Sequence, residues 1–374
     1  MRMKFVDTFE KHQREPYKSA DAYAKERRLE LGAGLLPTKK IYLDTKYWLL
    51  LRDAKLGRAR DEKQVQMLAL AERVSSSGRY IFPICEDIFV EVLKQTDPDT
   101  LRSTVVLIDS FSKGVSLLSG EERIRLEMFH FLETCLGSSV FCLQELVWTK
   151  VAYNLGYSSP YHDKFPKHTN TLIQKAFFDQ MWSASLMDIV ETMSRNGAPN
   201  FPPIRGYSER LNAGKFAHMH QNNTFNEMFL SEIAGMVDSY KADFKDLFAY
   251  KFEKQYGCPP NPDELEQSES GQLFANMIYN LFKLNKVKQE LPSFRIHAGL
   301  HAAVRWDKKQ KYQDNDMHDF RHATAALGYC DYFFTEKRLC HLVTQALLKY
   351  DKLFNCKTLW RVDDAVECLR TIES

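Results

Sequence analysis

The spacing of apolar and polar residues divides the chain into two ends that alternate strands with helices and a long helical middle. Short apolar runs at residues 40–44, 79–84 and 331–335 predict buried strands, and segments with helical periodicity lie beside them. From about residue 110 to 310 the apolar positions recur at helical spacing, including a predicted helix at 141–155. The alternation at the two ends predicts an α/β fold with a parallel sheet.

The same pattern predicts the domain organisation. A charged, helix-prone leader occupies residues 1–38, and the α/β core is divided between residues 39–110 and 312–374. Residues 111–311 form a large α-helical insertion between the two halves of the core. We expect this insertion to select the substrate or a protein partner rather than to carry out chemistry, because it contains no comparable set of acids at strand ends.

Composition and charge narrow the functional classes. The 374 residues are 44% hydrophobic and 27% charged, which is ordinary for a globular protein. A formal net charge of +2 argues against a strongly cationic surface, so any basic surface for nucleic acid has to be local. Eight scattered cysteines without a Cys-x-x-Cys pair predict reduced, mostly buried thiols and a cytoplasmic location. No signal sequence or membrane span is predicted.

Carboxylates cluster at the predicted ends of the strands. Asp44 ends the first run, Glu91 lies on the helix after the second, and Asp316 and Asp319 open the helix before the third, which Glu336 follows. Ligands of open parallel sheets bind beyond the carboxyl ends of the strands, so these acids are expected to meet there. We predict that Asp44 and Asp319 bind Mg²⁺ or Mn²⁺ directly, with Glu91, Asp316 and Glu336 completing the shell or orienting water.

The order and placement of these motifs resemble the PIN-domain nucleases. The matching residues are Asp44 in Leu-Asp-Thr, Glu91 in the strand–helix unit, Asp319 at the start of the helix of small residues, and Thr335 at the end of the next strand. The resemblance implies a doubly wound parallel sheet and an acidic cluster that binds Mg²⁺ or Mn²⁺. It also implies a metal-dependent nuclease, an endoribonuclease that prefers RNA to DNA.

The resemblance covers about residues 40–110 and 312–374, under half of the chain. Lys46 stands where the family usually has Asn or Ser, and we assign it to a substrate phosphate or to an ion pair with a site acid. Thr335 is expected to shape the loop around the metal and the substrate. The family's last acid usually lies just beyond the threonine, where this chain has Glu336 followed by Lys337.

A basic stripe precedes the second group of acids. His297, His301, Arg305 and Lys308 fall on one helix face beside Trp306, which predicts contact with an RNA backbone. The ordinary alternative is a solvated helix face.

Alternative assignments remain open for the acids as well. Glu86 could replace Glu91 as the second acid, Asp316 could simply cap its helix, and Glu336 could pair with a neighbouring cation. His318-Asp319, with His322 and a histidine of the basic stripe, could form an HD-type metal phosphohydrolase site, although that fold is entirely helical. A third possibility is a catalytically degenerate PIN-like scaffold that binds RNA or protein.

Overall fold

The computed structural model describes residues 6–138, 141–196, 206–218 and 220–373. Its strands are β1 Lys39–Leu43, β2 Tyr80–Ile81, β3 Val115–Leu117, β4 Trp148–Lys150, β5 Tyr332–Phe334 and β6 Lys357–Leu359. The helices of the first half are α1 Phe9–Gln13, α2 Ala20–Leu35, α3 Thr45–Lys55, α4 Glu62–Ser76, α5 Glu86–Leu93, α6 Pro98–Ser112, α7 Gly120–Cys135, α8 Leu143–Leu146, α9 Lys167–Trp182 and α10 Leu186–Asn196. Those that follow are α11 Tyr207–His218, α12 Phe225–Ser239, α13 Lys241–Tyr256, α14 Pro262–Gln267, α15 Ser270–Lys283, α16 Pro292–Trp306, α17 Asp316–Tyr329, α18 Lys337–Thr344, α19 Tyr350–Leu353 and α20 Val362–Glu373.

A small parallel sheet lies at the centre of this mixed α/β, mostly helical protein. Its strand order is β2–β1–β5–β6, and every neighbouring pair is parallel. Beyond β2, Ile84 forms a parallel bridge with Ser116 of β3, and β3 pairs in antiparallel fashion with β4. The chain therefore adds β2 on one side of β1 and returns to add β5 and β6 on the other side. The prediction of an α/β fold with a parallel sheet is confirmed.

The central strands are buried on both faces, which explains why their sequences are continuous apolar runs. Ile41, Tyr42 and Leu43 of β1 are almost completely buried, as are Phe333 and Phe334 of β5. Parallel strands covered by helices on both faces have no solvent side that would favour polar residues. The apolar run stops at the end of each strand, where the chain turns into the site.

Two hydrophobic cores share one helix. The main core combines the sheet with helices that include α3, α4, α17 and α20, while a second core lies among α12, α13, α15 and α16. Leu300 and Val304 of α16 belong to the main core, whereas Phe294 and Ala302 belong to the second. The helical region is therefore joined to the sheet through α16 rather than tethered as a separate body.

Two parts of the predicted helical insertion are not helical. The helix predicted at residues 141–155 is replaced by the short helix α8, strand β4 and a single 3-10 turn, and β3 precedes α7. Val115 and Leu117 are buried, and the backbone N–H of Leu117 donates to Ile84 O at 2.9 Å. Strands β3 and β4 thus lie beside the sheet, although they fall within the predicted insertion.

The described part of the predicted leader is helical and packs on the insertion. His12 Nε2 lies 2.8 Å from Asp179 of α9, and the Tyr23 hydroxyl donates to the same carboxylate at 2.6 Å. Tyr23 also packs against Phe178 and belongs to a small aromatic core with Trp182. Residues 1–5 of the leader lie outside the described residues.

None of the eight cysteines forms a disulfide, and five of them are buried, in agreement with the predicted free thiols. Within the described ranges, no helix is long and apolar enough to cross a membrane.

Candidate active site

A cleft of about 660 Å³ opens where the chain leaves β1 and β5 at their carboxyl ends. The parallel pairing of these strands is continued by the backbone N–H of Asp44, which donates to Phe334 O at 3.0 Å. The polar side chains that line the cleft include five carboxylates, four cations and one histidine: Asp44, Asp53, Glu91, Asp319 and Glu336; Lys46, Arg52, Arg60 and Lys94; and His322.

Asp44 occupies the N-cap position of α3, yet its side chain makes no capping hydrogen bond. The residue is only 5% exposed, and its Oδ1 has no hydrogen-bond partner among the described residues. Burial raises the pKa of Asp44 to about 6, and the positive charge of His322 partly opposes this shift. The Asp44 carboxylate is therefore directed into the cleft rather than used to stabilise its own helix.

Asp319, in the first turn of α17, is the second acid of the cleft. The Asn315 side-chain amide donates to its Oδ1 at 2.9 Å. Burial raises the pKa of Asp319 to about 7, and the nearby charges of Glu336, Asp44 and Glu91 raise it further against the effect of His322. Mutual repulsion of this kind indicates that the acids are close enough to affect one another's ionisation.

Glu91 is held by two donors. Its Oε2 accepts a hydrogen bond from the Thr45 hydroxyl and lies 3.1 Å from Nε2 of His322. Burial alone would raise the pKa of Glu91, but the hydrogen bond and charge of His322, together with Thr45, hold it at about 2. The acid predicted as a metal ligand is therefore ionised and already engaged with an imidazole.

His322 is the functional residue that the main sequence hypothesis missed, since it entered only the HD-type alternative. Burial would lower its pKa, but the contacts with Cys85 and Glu91 raise the pKa of His322 well above its ordinary value. The other ring nitrogen, Nδ1, lies 2.7 Å from the Tyr42 hydroxyl, which is 2.8 Å from Cys85 Sγ. The available signal was the three-residue spacing from Asp319, which places both side chains near one face of α17.

Asp316, which was predicted to complete the metal shell or orient water, does not line the cleft. Its carboxylate is 1% exposed and accepts two hydrogen bonds from the Arg338 guanidinium, one of them at 3.0 Å. The backbone N–H of Gln313 donates to the same carboxylate at 2.9 Å. The spacing from Asp316 to Asp319 is the same as that between Asp319 and His322, but Asp316 is held by Arg338 of α18, whereas Asp319 lines the cleft.

Glu86 is also placed elsewhere. Its Oε1 accepts a hydrogen bond from the backbone N–H of Gly120 at 3.1 Å, at the start of α7. Of the two candidates for the second acid, only Glu91 lines the cleft.

The four residues of the predicted basic stripe do not form one exposed face. His301 is buried with Nδ1 at 3.0 Å from the Tyr312 hydroxyl, and its ring packs 4.5 Å from that of His297. Burial, with a smaller effect of nearby positive charge, lowers the pKa of His297 to about 4, so that imidazole is neutral. Arg305 pairs with Glu232, which leaves Lys308 as the exposed cation of the four. Helix α16 is packed between two cores, so most of its circumference is covered.

The cations beside the acids lie on other elements. Lys46 follows Asp44 on α3, Arg60 lies in the following loop, and Lys94 ends α5. Arg52 is engaged with Asp53 at 2.7 Å, whereas Lys46 and Arg60 make no side-chain ion pair among the described residues. Acids on the floor of the cleft are thus surrounded by cations that face solvent.

The HD-type grouping is not brought together. His318 Nδ1 lies 2.9 Å from Asp87, and Lys94 Nζ lies 3.3 Å from Nε2 of the same ring. His301 contacts Tyr312, and His297, which packs against the His301 ring, lines a different cavity. The presence of a parallel sheet also differs from the helical fold on which that alternative depends.

The donor set of the cleft was compared with the requirements of a hard divalent cation. Across the described ranges, no group of three His, Cys, Asp or Glu side chains is close enough together to hold a metal ion. Mg²⁺, however, keeps several water molecules and is commonly bound by one or two carboxylates. Asp44 and Asp319 supply two crowded carboxylates of raised pKa, including a buried oxygen without a partner, and these fit such a cation.

Comparisons with family models, with curated proteins and with solved structures gave no match for this chain.

Proposed function

We propose that this chain is a metal-dependent phosphodiesterase with a PIN-like core that hydrolyses RNA. The observation that carries the proposal is the convergence of Asp44 and Asp319 in one cleft at the carboxyl ends of two adjacent parallel strands. Burial and the charge of Glu336 raise the pKa of both groups, which is the condition that a bound cation relieves. The preference for RNA over DNA rests on the resemblance to PIN-domain nucleases alone.

Asp44 and Asp319 would hold Mg²⁺ or Mn²⁺, and Glu336, which lines the same cleft, would orient water around it. When bound, the cation makes a water molecule a better nucleophile and stabilises charge on the leaving oxygen. Thr335 lies buried beneath this arrangement and partly lowers the pKa of Asp44. The residues thus divide into two that bind the cation and two that shape its surroundings.

Glu91 and His322 would act as a positioning pair. Thr45 and His322 both donate to Glu91, so this carboxylate is fixed and charge-balanced without a metal. Because its pKa is raised, the His322 ring is protonated on both nitrogens. Its Nε2–H donates to Glu91, and its Nδ1–H donates to the Tyr42 hydroxyl. The imidazolium offsets part of the repulsion between Asp44 and Asp319, which keeps the cleft folded before any cation binds.

The cations around the acids suit a polyanionic chain. Lys46, Arg60 and Lys94 can contact phosphates that lie on either side of the reacting one. An acidic floor would repel nucleic acid without them, because the formal net charge of the whole chain is only +2.

The test is incubation with end-labelled RNA and DNA in Mg²⁺, Mn²⁺ or EDTA, using wild type, Asp44→Asn and the matched control Asp316→Asn. We expect RNA cleavage that requires a divalent cation, is lost in Asp44→Asn and persists in Asp316→Asn. Cleavage that continues in EDTA, or survives in Asp44→Asn, would reject the proposal.

A non-catalytic scaffold is the second candidate, favoured by the observation that His322 already neutralises Glu91. Such a protein would bind RNA in Mn²⁺ without cutting it. Binding and cleavage measured on the same labelled RNA separate the two candidates.

A further inference from the structure

A buried arginine without an acidic partner lies away from the cleft. Arg123 of α7 is 1% exposed, and its Nη1 donates to Leu118 O at 2.9 Å. Its Nε is buried and has no hydrogen-bond partner among the described residues, and no described carboxylate is within ion-pair distance. Burial alone would lower the pKa of Arg123, but neighbouring groups that include Glu86 raise it, so the guanidinium stays charged while keeping unused hydrogen-bonding capacity.

Arg123 lines a separate cavity of about 380 Å³. The cavity lies between α5, α7, α16 and α17, which contribute Glu86, Arg123, His297 and Arg321 respectively, and Tyr240 follows α12. Its volume falls within the range of about 300–1,000 Å³ that is typical of small-molecule sites. The Arg321 side chain is 46% exposed, which places a second cation where solvent can enter.

The polar groups of the cavity favour a small molecule that carries an anionic group. The cavity includes the start of α7, a helix of 16 residues, and the absence of a side chain at Gly120 keeps that end open. A Cβ at this position would lie 3.0 Å from Glu86 Oε1 and 3.7 Å from Arg123 Nη2. His297 makes no hydrogen bond within the described ranges and is neutral, so it offers one donor and one acceptor.

We propose that this cavity is a second ligand site, separate from the cleft, that binds a small molecule carrying a phosphate monoester against Arg123. The planar guanidinium matches two oxygens of such a group, and the N-terminal end of α7 favours negative charge. A bare ion would leave most of the volume empty, whereas a nucleoside monophosphate would also reach Tyr240 and His297.

Two acidic residues line the cavity and have to be accommodated. Glu121 is paired with Arg125 at 2.7 Å on the outer face of α7. Glu86 already accepts the Gly120 N–H, and burial raises its pKa, so it can take up a proton when an anion enters. Arg321 pairs with Asp87 at 3.7 Å, so among the described residues Arg123 is the cation of the cavity that has no ion-paired carboxylate.

The site can be tested by thermal unfolding of the full chain with increasing adenosine 5′-monophosphate, inorganic phosphate or adenosine. Constant ionic strength and EDTA prevent a metal-mediated contact in the cleft. We expect the monophosphate to raise the Tm of wild type saturably, phosphate to raise it less and adenosine to have no effect. Asp44→Asn should respond as wild type does.

Arg123→Met should lose the response, because the guanidinium that would bind the phosphate has been removed. The Tm of this variant without ligand is measured beside that of wild type, since the substitution also removes the hydrogen bond to Leu118 O. Arg125→Gln is the matched control on the same helix and should keep the response. If Arg123→Met fails to fold, Arg321→Gln provides the test, with a weakened response expected. An equal response to adenosine, no saturable response in wild type, or an unchanged response in Arg123→Met or Arg321→Gln would overturn the assignment.

Discussion

Nε2 of His322 lies 3.1 Å from Oε2 of Glu91, so that an imidazolium on α17 pairs with a carboxylate on α5 beneath the cleft. The two residues are 231 positions apart in the chain. Their contact connects the two halves of the core at the point where Asp44 and Asp319 meet. Stability and chemistry are therefore coupled at this pair.

The pair should be strongly coupled in stability. Removing either partner leaves a buried charge, so Glu91→Gln and His322→Gln should each lower the free energy of unfolding by about 3 kcal/mol. The double variant should lose clearly less free energy of unfolding than the two single variants lose together. Urea unfolding at neutral pH measures the coupling, and strict additivity would show that the pair contributes only through packing.

Replacing the acids of the cleft should separate activity from stability. Above about pH 8, Asp44→Asn and Asp319→Asn remove charges that burial disfavours, so the free energy of unfolding should stay unchanged or rise by about 1–3 kcal/mol. RNA cleavage should be lost in both. Thermal unfolding and cleavage assays on the same preparations check the two parts.

Asp316→Asn should behave in the opposite way. The substitution breaks the paired hydrogen bonds to Arg338, so we expect the free energy of unfolding to fall by about 2–3 kcal/mol. RNA cleavage per folded molecule should stay close to that of wild type. If the Asp316→Asn variant is stable but inactive, Asp316 takes part in the reaction.

Glu127 predicts a specific pH dependence of stability. This completely buried carboxyl of α7 accepts hydrogen bonds from Ser293 and Tyr329, and burial raises its pKa from 4.5 to about 7 despite them. Because the pKa of Glu127 is raised on folding, the folded state binds more protons than the unfolded state between pH 4.5 and about 7. The contribution of Glu127 to the free energy of unfolding is therefore fully present below pH 4.5 and is lost as the pH rises to about 7.

The comparison with Glu127→Gln isolates this contribution. The stability of wild type relative to the variant should fall by about 3 kcal/mol as the pH rises across that window and remain level above it. Urea unfolding at several pH values gives the difference. A constant difference would show that Glu127 titrates alike in the folded and unfolded states.

The salt dependence of RNA binding should identify the phosphate contacts. Lys46→Ala and Arg60→Ala should each weaken binding and reduce the slope of log Kd against log salt by about one, because fewer counterions are released. Lys308→Ala is the control for the basic stripe of α16 and should leave the slope unchanged. If Lys308→Ala reduces this slope more than Lys46→Ala and Arg60→Ala do, the basic stripe of α16 is the surface that binds RNA.

The parts of the fold that depend on local pattern were predictable from sequence. Continuous apolar runs identified β1 and β5, and their final residues located Asp44 and Thr335 at one sheet edge. Strands β3 and β4 have three residues each, as β5 does, but each contains a polar residue, Ser116 or Thr149, so no continuous apolar run identifies them.

Partners distant in sequence were not predictable. The Asp316 position was identified correctly as the start of a helix, but its role depends on Arg338, which no local pattern links to it. In the same way, the engagement of Glu91 depends on His322, and the burial of His301 depends on packing between two cores.

The central pairing of β1 with β5 has a consequence for synthesis of the protein. The backbone N–H of Lys40 meets the Asp331 carboxylate 291 positions later in the chain. A nascent chain that ends before residue 316 contains Asp44 and Glu91 but lacks Asp319, His322 and the strand that places them. The ribosome thus releases most of this polypeptide before the cleft exists, so the activity that we propose for the cleft would be absent while the chain is being translated. Closing so long a loop also makes late, slow folding the expected route.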